Sequence, residues 1–437
     1  MAGRRYLLAG MSGLVVACAS RGPRLAPVTP AEISALRTQA LQQPNNAQVR
    51  FRLAAALMAA GQCDSAVGFA NAATALAPGE AIGPMVVGGC QQKAGRYDLA
   101  FATYTDFANK YPRSPRVAAV RALADRALRT QAAQTATLAL ASESSLTNLA
   151  PEPSTIAVLP LTIAGDSSLQ PLSRGLAELL MSDLAMVRSL RLLERIQVGA
   201  LLDEMKLGQT GRTDPRTAAR LGRMLRAERM VQGVAAITVN GPVRLSTTVV
   251  RGDGNIRSGA QVTGGFKQLL DLEKQLVFGL VADLGIQLTE AERQRILRQG
   301  PKNLAAFLAY SNGLEALDRG DYRAAAREFT AAVRSDPTFQ PAAEHQQVAS
   351  AAPAVAASPG NVLAIAQAVE VVGPAGTEGA LHQGTLDVSG SIGDLTQAGG
   401  TIGTGIGSVA GNPTPESQGI SSVIQASATL RIIFRRP

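Results

Sequence analysis

Gly313-Leu-Glu-Ala-Leu-Asp-Arg-Gly-Asp-Tyr-Arg-Ala-Ala-Ala-Arg-Glu-Phe-Thr-Ala-Ala-Val-Arg-Ser-Asp-Pro337 reads as two short helices joined by a tight turn. Asp321 stands where its carboxylate caps the second helix. Tyr322, Ala325, Phe329 and Ala332 then fall on one helical face, and Pro337 closes the unit. With Gly313 on the first helix, these six residues describe a helical hairpin whose small side chains let the two helices approach closely.

Two further units of this kind lie upstream, over Asn45–Pro78 and Gly79–Pro112, related by a period of about 34 residues that places Gly61 over Gly95, Ala66 over Ala100 and Pro78 over Pro112. Ala54 and Gly88 are the small residues of the two first helices, and Ala66 and Ala100 those of the second helices. Pro78 and Pro112 end the units. This is the tetratricopeptide period, and the Gly313–Pro337 copy resembles that pattern most closely. Val117–Leu140, alanine-rich with Leu123, Ala127 and Leu128 in helical spacing, predicts the capping helix that such stacks require. Repeats of this kind bind peptides or proteins in their concave face, so residues 45–148 and 291–350 point to interaction with a protein partner rather than to chemistry.

Cys63 begins the second helix of one unit and Cys90 lies near the end of the first helix of the next. Neighbouring helices run antiparallel, so the two sulfurs are expected to meet as a disulfide, the alternative being two buried thiols.

Residues 152–290 carry a different rhythm. Thr155–Leu161 is a β-branched and aliphatic run that reads as a buried strand. Leu172, Leu176, Leu179, Leu180, Leu184 and Val187 follow at helical spacing. Leu190–Leu193 reads as a strand, Val198–Met205 as a helix, and Asp214-Pro215 as the capped start of another. Met230–Val234 and the alternating Val243, Leu245, Thr247 and Val249, with turns at Asn240-Gly241 and Gly252–Gly254, predict antiparallel later strands. Leu269–Leu284 is the closing helix. The fold class is therefore multidomain: helical tetratricopeptide-like repeats flanking an α/β domain with a mixed sheet.

Several pieces of this middle region are similar to the curli secretion channel family (CsgG and the holdfast protein HfaB) and its smaller periplasmic relatives. They are Ile156–Pro160, Leu193-Glu194-Arg195 ahead of Leu201–Glu204, Thr217–Ala219, Ala227 before Met230–Gly233, and Val249-Val250 before Gly254–Ile256. The resemblance implies a structural role for Glu194 and Arg195, paired with backbone or with each other, and a domain able to form homo-oligomers. Pore-forming members insert two amphipathic hairpins here, and a membrane strand needs about 9–11 residues. Ile237–Arg244 and Ser258–Lys267 hold neither hairpin, so the expectation is the family's periplasmic fold without a channel.

At the N-terminus, Arg4-Arg5 precedes an apolar run ending Val15-Val16-Ala17-Cys18. That is signal-peptide order, with the run too short to span a bilayer. The last four residues resemble the lipobox of bacterial lipoproteins, which implies removal of 1–17 and lipidation of Cys18. Ala19 in place of an aspartate implies the outer membrane, and the pattern leaves Sec or twin-arginine export open. A proline-rich tether is expected over 18–44.

The net charge of +9 is scattered among acids, and aromatics make up 4% of the chain, which excludes a nucleic-acid platform. His345 and His382 stand in low-complexity surroundings without neighbouring cysteine or carboxylate ligands, so no catalytic site, metal or cofactor is expected. Residues 351–437 read as an alanine-, glycine- and proline-rich tail, mostly disordered, with Ala428–Phe434 available as a strand for an edge of this sheet or a partner's. The composite expectation is a lipoprotein held on the periplasmic face of the outer membrane, acting as a non-catalytic assembly factor for an envelope or secretion complex. A subunit of an oligomeric secretion channel is the alternative.

Overall fold

A computed structural model describes residues 28–146, 148–207, 214–238, 241–371 and 434–435. The signal sequence over 1–17, Cys18, Asn240, His382 and the tail over 372–433 lie outside the described residues.

Helix α1 (Pro30–Gln42) opens on a capping box. The Thr29 hydroxyl accepts from the Glu32 amide at 3.2 Å, and the Glu32 carboxylate accepts from the Thr29 amide at 2.7 Å. Residues 18–44 were expected to be a tether, and from Pro30 onward this is corrected: Ile33, Leu36 and Ala40 are buried, and α1 packs on α2 (Ala47–Ala59). The next helices are α3 (Cys63–Leu76), α4 (Ile82–Lys93), α5 (Tyr97–Lys110) and α6 (Val117–Ala141). Each packs on its sequence neighbour, as stacked helical pairs do. Cys63 and Cys90 form a disulfide between α3 and α4, with Cα atoms 5.5 Å apart.

A short helix, α7 (Glu143–Leu146), leads into the α/β domain. Its elements are β1 (Glu152–Val158), β2 (Thr162–Gly165), α8 (Leu172–Leu184), β3 (Arg191–Leu193), α9 (Arg195–Glu204) and α10 (Pro215–Met224), then β4 (Ala227–Ile237), β5 (Pro242–Arg251), β6 (Ile256–Gly265) and α11 (Leu269–Asp283). The sheet order is β6-β5-β4-β1-β3-β7, where β7 is Phe434–Arg435, and β2 continues alongside β4. β1 runs parallel to β3 and β4, whereas β5, β6 and β7 are antiparallel to their neighbours. The terminal strand thus sits on this protein's own edge, against Leu192 and Leu193.

Alternation along β1 sorts the two faces. Ile156 and Val158 join a core built with α8 and α11, while Ala157 and Leu159 join one built with α9, α10 and the end of α6. The first core continues without a break into the later repeat. That repeat consists of α12 (Glu290–Arg298), α13 (Leu304–Asp318), α14 (Tyr322–Ser335) and α15 (Gln340–Ala357). Helix α13 lies on α8 at a position where Gly175 is required, because a Cβ there would stand 1.9 Å from Ser311 Oγ.

One expectation about the helices is extended and one changes. Helix α6 packs on α5 where the capping helix was expected, and α15 and α9 pack against it in addition. The tail expected from 351 is helical to 371, because α15 runs through Pro353 to Ala357 and is followed by α16 (Val362–Val371).

Within the α/β core, Asp183 of α8 and Glu273 of α11 are both buried, and Lys274 bridges them, its Nζ 3.4 Å from Glu273 and in contact with Asp183. Burial pushes both carboxyls up, and one ammonium faces two acids. A folded-state pKa above the unfolded one costs stability as pH rises past the unfolded value near 4.3. Glu273→Gln is therefore expected to melt at or above the wild-type temperature at pH 8, with the advantage shrinking toward pH 4; an advantage independent of pH rules out a proton held there. Replacing Cys63 and Cys90 by serine reopens a loop of 27-residue separation, and chemical denaturation is expected to show a loss of about 3 kcal/mol.

Candidate interaction site

Helices α2, α4 and α6 are the first helices of successive pairs and line the concave side of the N-terminal stack. Helix α16 lies in that groove and touches all three. Its Val362, Ile365 and Val369 are buried in the same core as the repeats, and Ala366 is buried beside them. The turn that delivers it holds Pro359 and Gly360, the latter at φ +77°, and the Asn361 side chain accepts from the Ala364 amide at 2.9 Å to cap the helix.

Beside α16 remains a cleft of about 280 Å³, with Met58, Met85 and Leu123 as its apolar wall and Lys93 and Arg126 at its rim. The Lys93 ammonium donates to the Met58 carbonyl, and burial lowers its pKa. Arg126 Nη1 donates to the Val355 carbonyl at 3.1 Å and so anchors the end of α15. Tyr104 is fully buried, its hydroxyl accepting from Gln92 Nε2 at 3.1 Å, and burial raises its pKa.

The repeat residues marked by the sequence take these places. Ala54, Ala66, Ala100, Ala325, Phe329 and Ala332 are fully buried. A Cβ on Gly88 would stand 2.4 Å from the Tyr104 ring, and one on Gly313 would stand 2.6 Å from that of Phe329. Pro78, Pro112 and Pro337 follow the ends of α3, α5 and α14, and Tyr322 opens α14. His345 is not in open low-complexity chain: it is half-buried on α15, with its ring 5.3 Å from Phe329 and Nδ1 2.8 Å from the Pro341 carbonyl. Among the described residues, no cluster of His, Cys, Asp or Glu is arranged to hold a metal ion.

Where the three chain segments meet, a buried charge cluster joins them. Asp318, the last residue of α13, accepts from Arg195 Nη1 at 2.6 Å and Nη2 at 3.1 Å, and from Arg174 Nε at 2.9 Å. Arg129 of α6 lies 3.5 Å from the same carboxylate and also binds Asp125 at 2.8 Å. Arg195 reaches Glu178 at 3.2 Å. The side-chain partners of Arg195 are thus supplied by α8 and α13, which corrects the expectation that it pairs with backbone or with Glu194. Burial alone would raise the Asp318 carboxyl, but the charges of Arg195, Arg129 and Arg174 outweigh it and hold the group well below the usual carboxylate range. Sequence spacing gives no sign of this site, because Asp318 reads there as an ordinary residue of a turn.

Fold and site together define a class: a multidomain protein in which helical repeats flank a mixed α/β sheet and present a groove shaped for a helix. Residues 113–239 match the family model of the curli production assembly/transport component CsgG. The match begins just ahead of α6 and ends just past β4, so β5, β6 and α11 lie beyond it. Among solved structures, the crystal structure of yeast Tom70 aligns at 13% identity with a TM-score of 0.21, covering 77% of this chain and 63% of its own. The chain therefore spans less than two thirds of that protein's length. A comparison with curated proteins returns no match.

Asp318→Asn leaves the Arg195 guanidinium buried without its full counter-charge, and equilibrium unfolding is expected to lose about 3–5 kcal/mol. Because the folded pKa is depressed, the contribution is present above the unfolded value near 3.9 and is lost as pH falls below it. The variant should accordingly show a flatter decline in melting temperature between pH 4 and 2 than the wild type; parallel declines assign the acid loss to other groups.

Proposed function

We propose that this protein is an outer-membrane lipoprotein, attached through Cys18 and facing the periplasm, that acts as a non-catalytic interaction and assembly factor for an envelope or secretion complex. The observation that carries the reading is the groove of α2, α4 and α6, which already seats a helix. A surface that holds one helix by buried aliphatic side chains is suited to hold another. The family match over 113–239 supports a place in envelope assembly or transport. Oligomerisation through the α/β domain belongs to the same proposal.

The match to a curli assembly/transport component also favours a second reading, a subunit of a transport channel. Against it stand the connections of the sheet. β4 and β5 are joined through residues 238–241, and β5 and β6 through 252–255. Membrane-crossing strands need about 9–11 residues each, and the inner faces of β4 and β5 are already committed, with Val231, Val243, Leu245 and Val249 in the core shared with α11. Among the described residues, no helix is long and apolar enough to cross a membrane.

Fractionation and bilayer recordings separate the readings. The wild type is expected in the outer-membrane fraction, Cys18→Ser in the soluble periplasm or stalled as precursor, and the purified protein silent in planar bilayers. Discrete conductance steps, with Cys18→Ser still firmly in the membrane, overturn the adaptor in favour of the channel.

A further inference from the structure

Helix α16 is a poor candidate for a permanent structural element. It has ten residues, below the roughly 12–15 at which isolated helices become even marginal in water. It is packed on helices that lie far upstream, before the sheet, and its sequence, Val362-Leu-Ala-Ile-Ala-Gln-Ala-Val-Glu-Val371, carries a single charged residue. The groove beneath it is not sealed: an open cleft persists along Met58, Met85 and Gly89, with Lys93 and Arg126 beside it. Gly89 lies on the wall of that cleft against Met58, and a Cβ there would stand 2.7 Å from Met58 Sδ.

The occupant defines the chemistry of what fits. Val362, Ile365 and Val369 stand at i, i+3 and i+7 and are 4%, 1% and 8% exposed, with Ala366 buried between them. These spacings put one narrow aliphatic stripe on the groove, and the two cations at the rim favour a neutral or acidic helix over a basic one.

We propose that the groove of α2, α4 and α6 is the binding site for a short amphipathic helix of small and β-branched aliphatic residues, neutral or acidic, supplied by a partner protein, and that α16 is the resident helix it displaces. The proposal rests on the adaptor reading and names the partner's chemistry. Displacement is favourable for two reasons. Among its described side chains, released α16 loses four buried ones and the half-buried Leu363, and the Ser358–Asn361 turn, with Pro359 and Gly360, lets it swing away while Arg126 keeps α15 in place. Tethered α16 competes at an effective concentration of order mM, so the partner must outbid it and random weak helices are excluded.

The test uses the full chain and a fluorescein-labelled peptide of residues 360–371. Ile365→Asp places a carboxylate in the buried seat of α16 and frees the groove. Fluorescence anisotropy is expected to show the peptide binding this variant about tenfold or more tighter than the wild type, whose groove is occupied. Adding Gly89→Leu to Ile365→Asp should abolish binding, as should scrambling the peptide. Val369→Asp is a second releasing variant should the first melt at a much lower temperature. Equal binding to wild type and both releasing variants, binding to none of them, or binding indifferent to the peptide's order overturns the proposal. So does a wild-type dimer that grows with concentration and is dissolved by Ile365→Asp, since the occupant is then a second copy. The measurement uses purified components and is independent of membrane attachment, so its failure leaves the adaptor reading to be judged by the fractionation experiment alone.

Discussion

The contact on which the architecture depends is Asp318 against Arg195. It joins residues 123 positions apart and, through Arg174 and Arg129, gathers α6, α8, α9 and α13 at one point. Three guanidinium groups meet the carboxylates of Asp318, Glu178 and Asp125, so the cluster is close to neutral and survives burial. Such clusters add little net stability over a well-packed apolar core, yet removing one member is costly because the others stay buried. Their effect is selective: any docking of the repeats on the α/β domain that misplaces Asp318 leaves Arg195 uncompensated. The cluster therefore fixes one orientation out of the many that alanine-rich helical surfaces would tolerate.

Helix α6 is the other half of that constraint. At about 1.5 Å per residue, its 25 residues span nearly 40 Å, long enough to serve three neighbours in turn. Its first turns bury Ala119, Val120 and Leu123 in the repeat core, while Ala136 and Ala139 enter the core beneath the sheet. Its outer flank takes α15, with Arg121 paired to Glu344 at 3.0 Å and Arg126 holding the Val355 carbonyl. Alanine on every face is what allows helices to approach from so many directions. The stack is thus continuous in space and interrupted in sequence: α15 and α16 return to the helices from which the chain left before building its sheet.

The sequence makes local order plain and long-range order obscure, and the residues show why. Period and punctuation reveal the hairpins because Gly61, Gly95, Pro78 and Pro112 act on their own neighbours. The disulfide is legible for the same reason, since the repeat itself brings Cys63 to Cys90. Most α/β elements between β1 and α11 follow because their apolar spacing is strong, whereas the short β2 and the glycine-containing β6 do not stand out. Helix α1 is missed although Thr29, Pro30 and Glu32 spell its cap, and α16 is missed although Val362, Ile365 and Val369 have helical spacing, because both lie in stretches whose composition suggests loose chain. The charge cluster is not legible at all. Nothing adjacent to Asp318 or Arg195 in sequence records that a residue over a hundred positions away will neutralise it.

The route of the C-terminal chain gives these features a common logic. Helix α16 occupies the repeat groove, and β7 pairs with β3 at the edge of the sheet. An exposed edge strand and an apolar groove are the two surfaces most prone to recruit unintended partners, and a single length of chain covers both. The coverage is light: ten residues in the groove and a two-residue strand on the edge. Surfaces meant to be closed for good are buried under larger elements, as the α8 face is under α13 and α11. Light coverage by a tethered segment is what the displacement proposed for the groove requires: a segment that shields the surface yet competes for it only through its tether.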